Sequence, residues 1–284
     1  MLQMQKVRKV VSSFSYNGKT IEYPLWYTID PGQKPDVVIL LGAGQVDMLP
    51  RMVAKRAGKG VVVIGGVPHW HAHPSGKDIE AFTLSYFESA YKRVLQIFSI
   101  ASMHIIAESQ AAPIALLLAI NLPGKVQNVA LIRPLGFSVK AYGATPEERF
   151  KTFKRRIAQT SLQHRQWPLY DPRNVVASLT LTRAMLREPT RTALNKKYTA
   201  GISYDSTQDL EQAAKLARKT GNSITIIVGG KDKMFPAKEV LATLKGLQIP
   251  HVTTVVLPRA SHSPIAIRDT QEVLKSALTA ARNK

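Results

Sequence analysis

Residues 103–120, MHIIAESQAAPIALLLAI, place a serine between two apolar segments of different character. The first five residues have the length and composition of a short buried strand, and the last nine have those of an apolar helix. A serine at such a junction lies on a tight turn, with its hydroxyl exposed above the positive end of the new helix. Ala107 and Ala111 suit this turn, because larger side chains would clash where the helix packs against the strand. Ser109 is therefore a candidate nucleophile, although a serine before a helix is more often a simple N-cap.

Two later junctions place an acid and a base after predicted strands. Residues 223–230 form a β-branched run that ends in glycines, and Asp232 follows it. Residues 252–258 form another strand-like run, and His262 lies in the loop after it. Parallel strands end at one edge of their sheet, so Ser109, Asp232 and His262 are expected to meet there.

The acid and the base each have a simpler interpretation. Asp232 is also positioned to cap a helix that begins near Pro236, and His262 is also compatible with an exposed loop histidine. Asp205 is a rival acid, but it follows no clear strand end. Three junctions in the order Ser, Asp, His favour a Ser-His-Asp site over these alternatives.

The chain resembles the α/β-hydrolase superfamily, in which the triad residues occur in this chain order. The similarity rests on four segments: 107–111 (AESQA) as the nucleophile elbow, 229–236 (GGKDKMFP) as the acid loop, 260–264 (ASHSP) as the histidine loop, and 40–45 (LLGAGQ) as the oxyanion loop. It extends from about residue 5 to the C-terminus, except for a middle insert. The resemblance implies an α/β-hydrolase fold, with a mostly parallel central sheet flanked by helices.

Three residues depart from the usual pattern of this superfamily. Ala107 and Ala111 stand where glycine is usual, and Leu41 stands where a histidine usually precedes the oxyanion glycine. The two alanines are small changes. Leu41 affects only the support of the oxyanion loop, because the donors themselves are backbone N–H groups.

The predicted chemistry is that of an acyl-enzyme. A serine hydroxyl is a poor nucleophile at neutral pH and needs a base in contact. We expect His262 to take the proton of Ser109 and return it to the leaving group, while Asp232 fixes the histidine tautomer and stabilises the imidazolium. The backbone N–H groups of Gln110 and Ala43 are the predicted oxyanion donors.

The loop of residues 69–73, HWHAH, carries three histidines at alternate positions. Imidazoles on one side of an extended segment suit zinc, copper or nickel. The nearest carboxylate is Asp78, so we favour a polar loop and expect no metal and no cofactor. Whether His69, His71 and His73 bind a metal is left open.

Two substrate contacts are predicted beside the Ser-His-Asp site. The loop that contains Trp70 leaves the same sheet edge as the triad, which makes this indole a candidate contact. Gly44 is the other candidate, because Gly42 and Gly44 allow the backbone to approach the substrate closely.

The remaining pattern predicts a core with an insert. Residues 7–29 alternate polar and apolar around Asn17-Gly18, which indicates an antiparallel hairpin at the N-terminus. Clear apolar strands disappear between residues 136 and 206, where helix-like pieces occur at 146–159 and 175–186. We therefore predict an α/β-hydrolase core of residues 1–135 and 207–284, and a mostly helical cap of residues 136–206.

Composition limits the cellular context. The 284 residues contain no cysteine, which excludes disulfides and thiolate metal sites. The N-terminal residues lack the apolar core of a signal peptide, and no run of about 18 apolar residues predicts a membrane span. We expect a cytoplasmic protein.

The net charge of +20 attracts polyanions, anionic membrane surfaces and acidic substrates, but it also serves solubility. Between residues 140 and 197 there are 13 Lys or Arg against 4 Asp or Glu. We interpret Lys154, Arg155 and Arg156 as a solvated helix face rather than a site for an anionic partner. Trp167 and Tyr170 are too sparse for a nucleic-acid stacking platform.

These observations predict a serine hydrolase that cleaves an ester or related acyl bond of a small-molecule substrate. Nucleic acid is not expected as a partner, whereas peripheral contact with anionic surfaces and the oligomeric state are left open. Two alternatives remain. One is a carbon–carbon bond or amide hydrolase with the same triad, and the other is a non-catalytic protein that binds an anionic ligand or surface.

Overall fold

The computed structural model describes residues 7–29, 33–42, 48–66, 79–164, 203–262 and 271–283. The strands are β1 (Arg8–Tyr16), β2 (Lys19–Thr28), β3 (Val37–Leu40), β4 (Val61–Ile64), β5 (Met103–Glu108), β6 (Val126–Ile132), β7 (Ile224–Gly229) and β8 (Val252–Leu257). The described helices are α1 (Met48–Ala57), α2 (Ile79–Ile97), α3 (Ala111–Asn121), α4 (Val139–Tyr142), α5 (Pro146–His164), α6 (Thr207–Thr220), α7 (Ala237–Leu247) and α8 (Gln271–Arg282).

The eight strands form one sheet in the order β1-β2-β4-β3-β5-β6-β7-β8. The predicted N-terminal hairpin is confirmed: β1 pairs antiparallel with β2, and β2 pairs antiparallel with β4. Asn17 and Gly18 both adopt positive φ, as a tight two-residue hairpin turn requires. All other pairs, from β4 to β8, are parallel, so the carboxyl ends of these strands lie at one edge.

Two apolar layers cover the two faces of this sheet. Alternate residues of β3 belong to different layers, with Val38 and Leu40 on one side and Val37 and Ile39 on the other. Helices α2, α3 and α6 pack on the first side, and α1 and α8 on the second. Burial on both faces explains why the central strands are continuous apolar runs and not alternating ones.

The chain leaves the sheet after β6 and packs against it again at α6. The two ends of this excursion meet, because the N–H of Ser206 donates to the carbonyl of Gly136 at 3.0 Å. Helix α5 extends five residues beyond the predicted 146–159. The predicted helix at 175–186 lies outside the described residues, and the division into core and cap remains a prediction. Among the described helices, none is long and apolar enough to cross a membrane.

Candidate active site

Ser109 occupies a strained turn between β5 and α3. Its φ is +55°, a left-handed conformation that costs a non-glycine residue about 1–2 kcal/mol. Backbone bonds hold it there: the Ser109 N–H donates to Ile132 O at 3.0 Å, and its carbonyl accepts from Leu135 N at 3.1 Å. Helix α3 begins at Ala111 with Gln110 at the N-cap position, so the simple N-cap interpretation of Ser109 is wrong.

The carboxyl end of β3 passes directly beside this turn. A Cβ atom added to Gly42 would lie 3.0 Å from Glu108 O and 3.5 Å from Gln110 N, so a side chain here would crowd the turn. The loop start therefore runs beside the backbone N–H of Gln110, one of the two predicted oxyanion donors. The other predicted donor, Ala43, lies outside the described residues, as does Gly44.

Asp232 lies in the turn after β7 and is only 4% exposed. Its Oδ1 accepts the backbone N–H groups of Met234 at 2.7 Å and Phe235 at 2.8 Å. Helix α7 begins later, at Ala237, with Pro236 at its N-cap, so Asp232 does not cap this helix. These two bonds orient the carboxylate and leave Oδ2 for another partner.

That partner is His262. Its Nδ1 lies 2.8 Å from Oδ2 of Asp232, and its Nε2 lies 3.5 Å from Oγ of Ser109. The ring of Phe235 packs edge-on against the imidazole, with 4.9 Å between centroids. The imidazole is thus held between a carboxylate and a hydroxyl, which contradicts the alternative of an exposed loop histidine.

The rival acid, Asp205, serves a different purpose. It is exposed, and its Oδ1 accepts the N–H of Thr207 at 3.0 Å where α6 begins. The three predicted triad residues, by contrast, come together at the carboxyl edge of the parallel strands.

Trp70 and the three histidines of the HWHAH segment lie outside the described residues. In the described part of the chain, no group of three or more His, Asp or Glu residues is arranged to hold a metal ion.

The acid loop and the histidine loop are packed backbone to backbone. A Cβ atom on Gly229 would lie 2.5 Å from Ala260 O, and one on Gly230 would lie 2.6 Å from Pro258 O. The N–H of Lys231 also donates to Ala260 O at 2.9 Å. The glycine pair that ends the predicted strand therefore has a second purpose, which is to bring the two loops into contact.

Two charged residues next to the predicted triad were missed by sequence reasoning. Glu108, immediately before the serine, forms a buried ion pair with Arg133, which directly follows β6. Nη1 of Arg133 also donates to the carbonyl of Ser261 at 2.6 Å. The available signal was a charge at the end of each of two apolar runs, where an unpaired charge would be costly.

The interpretation of residues 154–156 as a solvated face is wrong for one of them. Lys154 and Arg155 are exposed, but Arg156 is buried and forms two 2.9 Å bonds to the carboxylate of Glu239. Its Nη1 also donates to Met234 O at 3.0 Å. Helix α5 is thereby attached to the acid loop.

An aromatic ring completes this attachment. The guanidinium of Arg156 lies 4.3 Å from the ring centroid of Tyr142, a favourable cation–π distance. The hydroxyl of Tyr142 donates to the carbonyl of Met234. Burial raises the pKa of Tyr142 above its ordinary value, which keeps the phenol protonated as a donor.

The comparison with protein families agrees with the observed fold. The family model of the alpha/beta hydrolase fold matches residues 68–268, most of the chain. The chain therefore belongs to the α/β-hydrolase family. No curated protein matches the sequence significantly.

Solved structures share the fold at low identity. They include 2-hydroxy-6-oxo-6-phenylhexa-2,4-dienoate hydrolase from Rhodococcus sp. strain RHA1, with 18% identity and a TM-score of 0.67 over 96% of this chain and 98% of that one. A thioesterase domain from the curacin biosynthetic pathway has 14% identity and a TM-score of 0.63, covering 95% and 99% of the two chains. Esterase E22 has 14% identity and a TM-score of 0.58, covering 96% and 100%. At these identities the likeness shows the fold alone.

Proposed function

We propose that the protein is a serine hydrolase that cleaves an ester or related acyl bond of a small molecule, acting in the cytoplasm. One observation carries the proposal: Ser109, His262 and Asp232 form a continuous chain of contacts of 3.5 and 2.8 Å. The strained backbone of the serine supports it, because such strain clusters at functional sites.

The proposed reaction begins with attack by Oγ of Ser109 on the substrate carbonyl carbon. Because Nδ1–H of His262 faces Asp232, the lone pair of Nε2 faces the serine and accepts its proton. Collapse of the tetrahedral species breaks the bond to the leaving group, which takes that proton. Water then repeats the sequence on the acyl-enzyme and releases the acid.

The negative oxygen of the tetrahedral species needs preorganised donors. The backbone N–H of Gln110, beside Gly42, is the first proposed donor, and that of Ala43 is the second. Loss of one such donor typically lowers turnover by about 10²–10³. Gly44 and Trp70 are the proposed substrate contacts.

A fluorophosphonate probe tests the nucleophile. We expect covalent labelling of the wild type, no labelling of Ser109→Ala, and wild-type labelling of Ser13→Ala, a control at an exposed serine of β1. An unlabelled wild type, or equal labelling of Ser109→Ala, would remove the proposal.

A panel of substrates tests which type of bond the protein cleaves. Because the structural neighbours include a thioesterase, an esterase and a dienoate hydrolase, the panel contains a p-nitrophenyl ester, an acyl thioester, an anilide and the dienoate. We expect turnover of the ester or the thioester, abolished in Ser109→Ala. Turnover of the dienoate or the anilide alone would instead favour a carbon–carbon bond or amide hydrolase.

The non-catalytic alternative has its own signature. A scaffold that binds an anionic surface through its net charge of +20 would turn over no member of the panel. Its binding to anionic vesicles would weaken steeply as salt is added, because the attraction is electrostatic.

A further inference from the structure

Two charged side chains lie inside the apolar interior directly behind the proposed triad. Glu108 ends β5 and is 3% exposed, and Arg133 follows β6 and is 1% exposed. Nη2 of Arg133 contacts Oε1 of Glu108. Charged side chains are almost never buried this fully unless they are paired. The ion pair therefore accounts for the burial of both residues.

The guanidinium reaches further than its carboxylate partner. While Nη2 contacts Glu108, Nη1 donates to the carbonyl of Ser261 at 2.6 Å. Glu108 directly precedes Ser109, and Ser261 directly precedes His262. One planar group therefore links the side chain of the residue before Ser109 to the carbonyl of the residue before His262.

The backbone of Arg133 is itself anchored. Its N–H donates to Ile227 O of β7 at 2.7 Å, and its φ is +46°. The guanidinium is thus joined to β6 through its own chain, to β5 through Glu108 and to the histidine loop through Ser261. Three separate attachments leave it little freedom to move.

Stability alone is a weak reason for such a pair. Replacing a buried ion pair with apolar residues of similar volume is often neutral or stabilising, because the charges lose their hydration. Apolar packing, however, supplies no directional bond to the Ser261 carbonyl. The guanidinium fork holds two acceptors in a fixed plane, which a lysine ammonium cannot do.

We propose that Arg133 is a positioning residue that sets the distance between Oγ of Ser109 and Nε2 of His262. This inference rests on the proposed function. This distance is 3.5 Å, which is the limit of a hydrogen bond. Loss of the link to Ser261 frees the histidine loop to move, and any lengthening of the distance then breaks the bond. A displacement of about 1 Å at a reacting centre lowers turnover by about 10²-fold.

The deciding variants are Arg133→Lys and the double variant Glu108→Leu/Arg133→Met. We expect both to lower kcat about 10²-fold, with KM changed less than about threefold, because the substrate contacts are not touched. The double variant removes both charges of the ion pair together, so its Tm is expected to stay close to that of the wild type.

A matched control comes from another bidentate arginine. Arg282 donates two bonds, of 2.8 and 2.9 Å, to the carboxylate of Asp36. This pair is exposed and belongs to the opposite end of β3. Arg282→Lys is expected to leave kcat unchanged.

The position of the imidazole can be measured without turnover. The ¹⁵N resonances of His262, assigned with a His262→Gln variant, are expected to shift in the double variant and to stay unchanged in Arg282→Lys. This measurement separates the two proposals, because it applies even if the wild type is unlabelled by the fluorophosphonate probe. Wild-type kcat in Arg133→Lys, or unshifted His262 resonances in a folded double variant, would overturn the positioning role.

Discussion

The turn that carries Ser109 and the loops that carry Asp232 and His262 are held in place by different interactions. Around the serine, backbone hydrogen bonds and apolar packing hold a residue at φ +55°. In the two loops, side-chain hydrogen bonds add to the backbone contacts: Asp232 accepts two backbone N–H groups with one oxygen and contacts His262 with the other.

This difference separates two kinds of preorganisation. At Ser109, the proposed nucleophile, geometry is stored as backbone strain, which the rest of the fold must compensate. At Asp232 and His262, geometry comes from hydrogen bonds that also stabilise the loops. Substitutions at the serine are therefore expected to separate activity from stability, whereas loop substitutions that remove these hydrogen bonds are expected to affect both.

The largest expected effect is at Asp232. Asp232→Asn keeps an oxygen for the N–H groups of Met234 and Phe235 but favours the wrong histidine tautomer, so kcat falls about 10⁴-fold at nearly unchanged stability. Asp232→Ala leaves both buried donors unsatisfied and additionally lowers the free energy of unfolding by about 1–3 kcal/mol. Ester turnover and urea unfolding measure the two quantities. Equal stability of the two variants would show that the loop does not depend on a side-chain oxygen at position 232.

The next effect concerns the contact between the loops. In Gly230→Ala the new Cβ would lie 2.6 Å from Pro258 O, so the histidine loop must move. We expect kcat to fall about 10²-fold and the free energy of unfolding to fall by about 1–3 kcal/mol. Gly246→Ala in α7, where a Cβ meets nothing within 4 Å, is the control and is expected to keep full activity. Wild-type kinetics for Gly230→Ala would mean that the loops are not rigidly coupled.

A smaller effect is expected where α5 meets the acid loop. Arg156→Met removes the bonds to Glu239 and to Met234 O, which loosens the loop that orients Asp232. We expect kcat/KM to fall about tenfold, a loss of about 1.4 kcal/mol in transition-state stabilisation. The exposed neighbour provides the control: Arg155→Met should change stability by less than about 0.5 kcal/mol. If kcat/KM falls equally in the Arg156→Met and Arg155→Met variants, α5 does not support the acid loop.

The smallest effect tests the stored strain directly. Ser109→Gly and Ser109→Ala are both expected to be inactive, but glycine adopts φ +55° without the steric penalty of a Cβ atom. The glycine variant is therefore expected to be more stable by about 1 kcal/mol. Urea unfolding of the two inactive proteins measures this difference. A more stable alanine variant would indicate that the turn carries little strain.

Much of the architecture was predictable from local pattern. The apolar run of residues 103–107 predicted a short buried strand, and Asn17-Gly18 predicted the hairpin turn, because these signals lie within a few neighbouring residues. The three candidate triad residues followed from strand ends and chain order. The end of α5 was harder to predict, since helix ends depend on packing beyond the helix.

Contacts that neither strand ends nor chain order imply were not predictable. Arg156 was interpreted as solvated because its neighbours are basic, yet it lies against Glu239 and Tyr142. Arg133 offered no motif, since its partners belong to β5 and the histidine loop. Pairing of this kind depends on which elements the fold brings together, and local pattern carries no information about it.

The amino-acid order by itself determined the alternation of strands and helices, the buried faces and the succession of serine, acid and histidine. Those properties depend on periodicity and on turn chemistry, which act over short stretches of chain. Only the tertiary structure decided that Oγ of Ser109 lies 3.5 Å from Nε2 of the His262 imidazole. It also decided that two buried arginines donate hydrogen bonds to backbone carbonyls of the histidine loop and the acid loop. The reason is physical: distances between side chains from separate strands are set by the twist and packing of the whole sheet.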